Sequence, residues 1–94
     1  MALPLTSKVF TYTLTNDSIA ITSADTLKGL SVYNSSETAG TILGTAIVDG
    51  NASATISVGQ NETYTITVPS ESDILDTLTV TAPADCTLLI TATK

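Results

Sequence analysis

Apolar and polar residues alternate one by one along most of this chain. Thr63-Tyr64-Thr65-Ile66-Thr67-Val68 and Thr77-Leu78-Thr79-Val80-Thr81-Ala82 are the clearest stretches. A period of two sends the apolar set to one face of a strand and the hydroxyls to the other. The pattern predicts strands at 8–15, 19–22, 27–33, 41–48, 52–58, 62–68, 77–82 and 87–93. Asn16-Asp17-Ser18, Asp49-Gly50-Asn51, Gly59-Gln60-Asn61 and Pro83-Ala84-Asp85 carry the residue types of tight turns. Residues 41–68 therefore read as a three-stranded antiparallel meander. Leu88-Leu89-Ile90 breaks the alternation, which suits a strand covered on both faces or a local bulge.

No long stretch repeats at the helical period. Ser70 with Asp73 three residues on resembles a capping box, so 70–76 reads as a helical turn in a crossover. Together with the polar stretch 34–40, it is long enough for a strand to change sheets. The fold class expected is all-β: an antiparallel β-sandwich, or a small barrel, of about seven to eight short strands. One domain spans 8–94. Residues 1–7 read as an extended arm, because Pro4 removes a backbone donor and turns Leu3 away from helix. Leu3, Pro4 and Leu5 have little apolar sequence nearby to pack against. They are the candidate partner-binding residues.

Composition narrows the chemistry. The chain has 94 residues, no His, no Trp and no Arg, and about a fifth of it is Thr. Charged residues make up 13%, against about a quarter in an ordinary domain. Without His, a Ser-His-Asp or Cys-His arrangement is excluded within one chain. Paired carboxylates could cleave a glycoside, but the nine acids fall mostly at turn positions and no Trp or Arg is present to hold a sugar. The expectation is no enzyme activity and no cofactor. Zinc lacks ligands. Glu71, Asp73 and Asp76 are the acids that could approach a calcium ion, although a solvated acidic loop is the simpler reading, so no metal is expected.

The net charge is −6, with Lys8, Lys28 and Lys94 as the cations. That excludes nucleic acid and an anionic membrane surface as partners. No stretch is long and apolar enough to span a bilayer, and the first residues have neither the charged start nor the apolar run of a secretory signal. Cys86 stands alone and reads as a buried free thiol. All four Asn residues lie in N-x-S/T triplets (Asn16, Asn34, Asn51 and Asn61), which reads as turn chemistry in a Thr-rich chain rather than as glycosylation. Phe10, Tyr12, Tyr33 and Tyr64 are the aromatics available for a sugar platform.

The segments Leu30-Ser31-Val32-Tyr33-Asn34-Ser35-Ser36, 41–44, Ile56-Ser57-Val58-Gly59-Gln60-Asn61-Glu62-Thr63-Tyr64 and Leu78-Thr79-Val80-Thr81-Ala82-Pro83 resemble small β proteins of tailed bacteriophage virions. The shared features are a strand ending in Asn-Ser, a Thr/Gly-rich strand, a Gly-Gln turn before another Thr-rich strand, and a last hairpin with Pro at its turn. The resemblance covers roughly residues 30–92. It implies a capsid decoration or head accessory protein made without a signal peptide. Its partners would be the major capsid protein or other virion proteins, and copies of itself in a homo-oligomer, with a trimer favoured. The competing expectation is a carbohydrate- or receptor-binding module of a fibre or surface structure.

Overall fold

The computed structural model describes residues 9–44, 54–68, 70 and 72–94. Among these residues six antiparallel strands build the fold: β1 Val9–Ile21, β2 Gly29–Asn34, β3 Gly40–Gly44, β4 Ala54–Val58, β5 Glu62–Thr67 and β6 Leu78–Thr93. Among the described residues the single helical piece is a 3-10 turn at Ser23–Asp25. The all-β antiparallel expectation holds.

β1 and β6 run alongside each other from Val9↔Thr93 to Ile21↔Leu78. On the far side of β6, its C-terminal half pairs with β2 and its N-terminal half with β3. β5 then adds outside β2, and β4 outside β3. The two halves, β1-β6-β2-β5 and β1-β6-β3-β4, share the two long strands. The sheet curls into a half-barrel at the place where those strands bend.

The bend has a local cause. Thr15 faces Thr87 and Asp17 faces Ala82, so residues 83–86 of β6 lie opposite Asn16 alone. Extra residues on one side of an antiparallel pair bend and twist it. Asn16 (φ 47°) and Asp85 (φ 66°) both take the left-handed conformation, which Asn and Asp tolerate better than other side chains. Residues 16–18 and 83–85, expected as hairpin turns, are therefore two sides of one corner inside continuous strands. Turn and bulge use the same residue types, and only the pairing distinguishes them. Counted on either side of the corner, the long strands give four segments, and with β2 to β5 the fold has the eight short strands that the alternation predicts.

The curl closes over one core. Ile19, Ile42 and Val80 point inward from one half, and Leu30, Val32 and Ile90 from the other, in a single buried cluster with Leu14 and Leu88. Full burial of each such aliphatic side chain contributes about 1.5–3 kcal/mol before entropy is counted. The links add plugs. Leu27 and Leu75 are fully buried, and the Leu75 N–H donates to the Leu27 carbonyl at 2.8 Å.

Two expectations change. First, 41–68 is not a meander: β4 pairs with β3, and β5 pairs with β2. The turn at 59–61 is held by the end of β2, since the Asn61 N–H donates to the Asn34 carbonyl at 2.7 Å. Second, the described residues of 70–76 form no helix. A single turn closes there, with the Asp73 N–H on the Ser70 carbonyl at 3.0 Å. The side-chain half of a capping box occurs instead at the 3-10 turn, where the Thr22 N–H donates to Asp25 Oδ2 at 2.8 Å. β3 and β4 pair as hairpin arms should, while the Asp49-Gly50-Asn51 turn itself lies outside the described residues. So do the arm 1–7 and its candidate residues Leu3, Pro4 and Leu5.

Candidate interaction surface

The strand registers assemble the outward-pointing residues into rows. On the β1-β6-β2-β5 half, one row reads Thr11, Thr91, Ser31, Thr65, and the next reads Thr13, Leu89, Tyr33, Thr63. A third reads Val9, Thr93, Gly29, Thr67. On the other half the rows are Ser18, Thr81, Thr41, Ser57 and Ala20, Thr79, Leu43, Thr55. These twenty positions carry no charge. Hydroxyls pair across strands within this layer: Ser18 with Thr81 at 2.9 Å and, just beside the corner, Thr15 with Thr87 at 3.1 Å. Leu43 (51% exposed), Leu89 (41%) and Val9 (57%) add apolar area in the open.

The charges among the described residues lie elsewhere. Asp17 and Asp85 sit at the corner, Asp25 in the 3-10 turn, Glu37 in the link after β2, and Asp73 and Asp76 in the link before β6. Glu62 belongs to the inward-facing set of β5, where its Oε1 accepts the Gly59 N–H. Lys28 precedes β2 and reaches the Asp73 carbonyl with its Nζ at 2.7 Å. This segregation has an energetic meaning. Covering a hydroxyl costs little when it can re-form a hydrogen bond across the contact, whereas covering a charge costs several kcal/mol unless it is paired. Each Thr-rich strand announces its own hydroxyl face in the sequence. The joining of those faces into uncharged sheets does not show there, because it depends on which strands pair.

Asn34 holds the links behind this surface. It is fully buried. Its Nδ2 donates to the Thr38 carbonyl at 2.9 Å and the Val58 carbonyl at 2.8 Å, and its Oδ1 accepts the Ser36 N–H at 2.8 Å. One side chain thus pins the 35–39 link and the end of β4. A glycan has no room on it. Asn61 (φ 61°) occupies a left-handed turn position, as the turn reading of the triplets expects, whereas Asn16 takes the same conformation at the corner within β1. Cys86 is free and buried, with Sγ 3.9 Å from Asn34 Oδ1. Burial pushes its pKa up, and a hydrogen bond with Ser36 pulls the other way more weakly. A buried thiol held protonated is not an attacking group.

Among the described residues, no three of Cys, Asp and Glu gather as a metal would require, and Glu71 lies outside them. The four aromatics do not form one platform. Tyr33 faces outward, whereas Tyr64 and Tyr12 belong to the inward-facing set of the same sheet, and Tyr12 packs against the core. The side chain of Phe10 is outside the described set. An open cleft of about 290 Å³ lies at the corner between Asn16, Asp17, Ser18, Thr81, Ala82 and Pro83. Its size is just under the range of small-molecule sites, and one carboxylate is its only charge.

No family model matches the chain, and no curated protein does. Among solved structures, an RmlC-like cupin protein from Desulfovibrio desulfuricans aligns over 90% of this chain and 69% of its own, with a TM-score of 0.52 and 19% identity. A chain from Bacillus endospore appendages, described as a novel family of disulfide-linked pili, aligns over 90% of this chain and 82% of its own, with a TM-score of 0.43 and 21% identity. The first likeness is one of fold: a curled antiparallel sheet around an apolar core.

Proposed function

We propose that this protein is a structural subunit that works by being packed against other protein, as a decoration or accessory protein on a bacteriophage capsid. The observation that carries the reading is the pair of uncharged outer faces, whose rows are Thr, Ser, small and apolar residues, while the acids and lysines among the described residues lie outside those rows. A free-standing domain ordinarily coats its sheets with charge. Faces like these lose water cheaply and suit a shell in which many modest contacts add up. In this reading the major capsid protein is the partner, the virion is the location, and several copies act together. The split placement of Tyr33 and Tyr64 gives a sugar-binding site no comparable support.

The test is positional. Particles purified from the source should contain the polypeptide in fixed stoichiometry with the major capsid protein, with density for it on the outer lattice. The arm is tested alongside. Deleting residues 2–7 should leave the β-sheet circular dichroism spectrum intact and abolish co-sedimentation with capsid shells. Unchanged co-sedimentation would remove Leu3, Pro4 and Leu5 from the contact.

A further inference from the structure

β5 is the outermost strand of its half and pairs, among the described residues, with β2 alone. Which of its backbone groups are spent follows from two hydrogen bonds. At one end the Val68 N–H donates to the Lys28 carbonyl at 3.1 Å, and at the other the Asn34 carbonyl accepts the Asn61 N–H where Glu62 faces Asn34. In an antiparallel ladder, residues alternate between turning both backbone groups toward the partner and turning both away. Tyr64, Ile66 and Val68 therefore face β2, while the Glu62 N–H closes the turn on the Gly59 carbonyl at 3.1 Å. Thr63, Thr65 and Thr67 present their N–H and C=O groups to the open side.

We infer that β5 pairs edge to edge with β5 of a second copy of this chain, antiparallel, with Thr65 on the two-fold axis. The argument is self-complementarity. Thr63-Tyr64-Thr65-Ile66-Thr67 reads nearly the same in both directions. In this register Thr65 faces Thr65 of the partner subunit, and Thr63 faces the partner's Thr67. All three free residues then exchange hydrogen bonds, and no other register uses all three. On the inward-facing side Tyr64, 37% exposed, lies beside the partner's Ile66, an aromatic against a β-branched residue at the close spacing of a non-hydrogen-bonded pair. The electrostatics agree with a copy as the occupant. For a chain of net charge −6 the hazard in self-pairing is like-charge contact, and Glu62, the one charge on β5, falls opposite the partner's Val68.

The other edges fit a second copy less well. β1 is broken at its centre by the corner at Asn16 and carries Asp17 there. β4 is shorter, at 5 residues. Edge strands that must stay single usually carry Lys, Pro or a bulge, and β5 has none of these. Pairing would join two β1-β6-β2-β5 halves into one eight-stranded sheet with a continuous uncharged outer face. A two-fold contact closes as a dimer, which sets it apart from the trimer expected from the virion resemblance. It bears on the same structural role without depending on a capsid, because it is measured on the isolated chain.

The experiment uses the full chain. Light scattering after gel filtration should give twice the 9.6 kDa chain mass. Thr65→Cys should form an intermolecular disulfide quantitatively under mild oxidation, since Cα atoms in a hydrogen-bonded antiparallel pair stand about 5.5 Å apart, within disulfide reach. Thr63→Cys should not, because its counterpart lies four residues along the strand, about 13 Å away. Thr65→Lys, which sets two ammonium groups face to face on the solvent side, should give a monomer with an unchanged circular dichroism spectrum. A monomeric parent chain, a trimer, or Thr63→Cys cross-linking as well as Thr65→Cys would each overturn the inference.

Discussion

Asn34 is the residue whose loss should be felt most for its size. Replacing it with Ala strands the Thr38 and Val58 carbonyls and the Ser36 N–H, one link and a strand end at once. Each buried group left without a partner costs roughly 1–3 kcal/mol, so Asn34→Ala should lower stability by about 3 kcal/mol or more in urea unfolding. Gly44 is constrained by backbone rather than by bonds. Its φ is +129°, and a Cβ there would run into the Thr77 carbonyl oxygen. Gly44→Ala should cost at least as much as Asn34→Ala. Cys86 gives a pH signature. Burial raises its pKa above the ordinary 9.0, so the unfolded chain gives up the thiol proton first as pH rises. The contribution of this group is complete below pH 9.0 and declines above it toward the folded-state value. Comparing urea midpoints across the alkaline range for the parent and Cys86→Ala should show the parent losing its advantage as pH rises. A constant difference would mean that the thiol is not shielded from water.

At the scale of elements, the corner separates what the sequence says from what it leaves open. Alternation placed every strand segment within a few residues, because period two is a property of the chain alone. It could not tell a hairpin turn from a bulge at Asn16 and Asp85, since both need a residue that accepts positive φ. It also could not foresee that the 59–61 turn is clasped by Asn34 and steers β5 to β2, because that contact spans 27 residues of sequence from 34 to 61. The candidate surface was legible by halves: the hydroxyl face of each strand could be read, but not the order in which the faces join. The corner itself predicts a contrast. Asn16 is exposed, so substitutions there report on backbone strain with little packing change. Asn16→Val should cost about 1–2 kcal/mol by forcing a β-branched residue into the left-handed region, whereas Asn16→Gly should stay within a few tenths. Equal effects from the two would mean that the corner tolerates any residue, and that the bend is imposed by β2 and β3 pulling on β6 from either side.

For the molecule as a whole, the question is whether the uncharged faces do the docking or merely accompany it. Charge inserted at two sites decides this. Thr91 lies on β6 in the central row of the β1-β6-β2-β5 face, between Thr11 and Ser31. A lysine there can extend its stem along the sheet and keep its ammonium in water while the protein is free. Thr91→Lys should therefore change folding stability by no more than about 0.5 kcal/mol. Against a partner surface the same ammonium must lose water without a counter-charge, and that penalty appears only on docking. Asp85→Lys changes the net charge by more, but at the corner and away from every outer row. If the faces are the contact, co-sedimentation with capsid shells falls for Thr91→Lys and persists for Asp85→Lys, even though general electrostatics would rank the two the other way. If loss of binding instead follows net charge, a diffuse charge effect governs attachment, and the rows of threonine are only the soluble side of a small β fold.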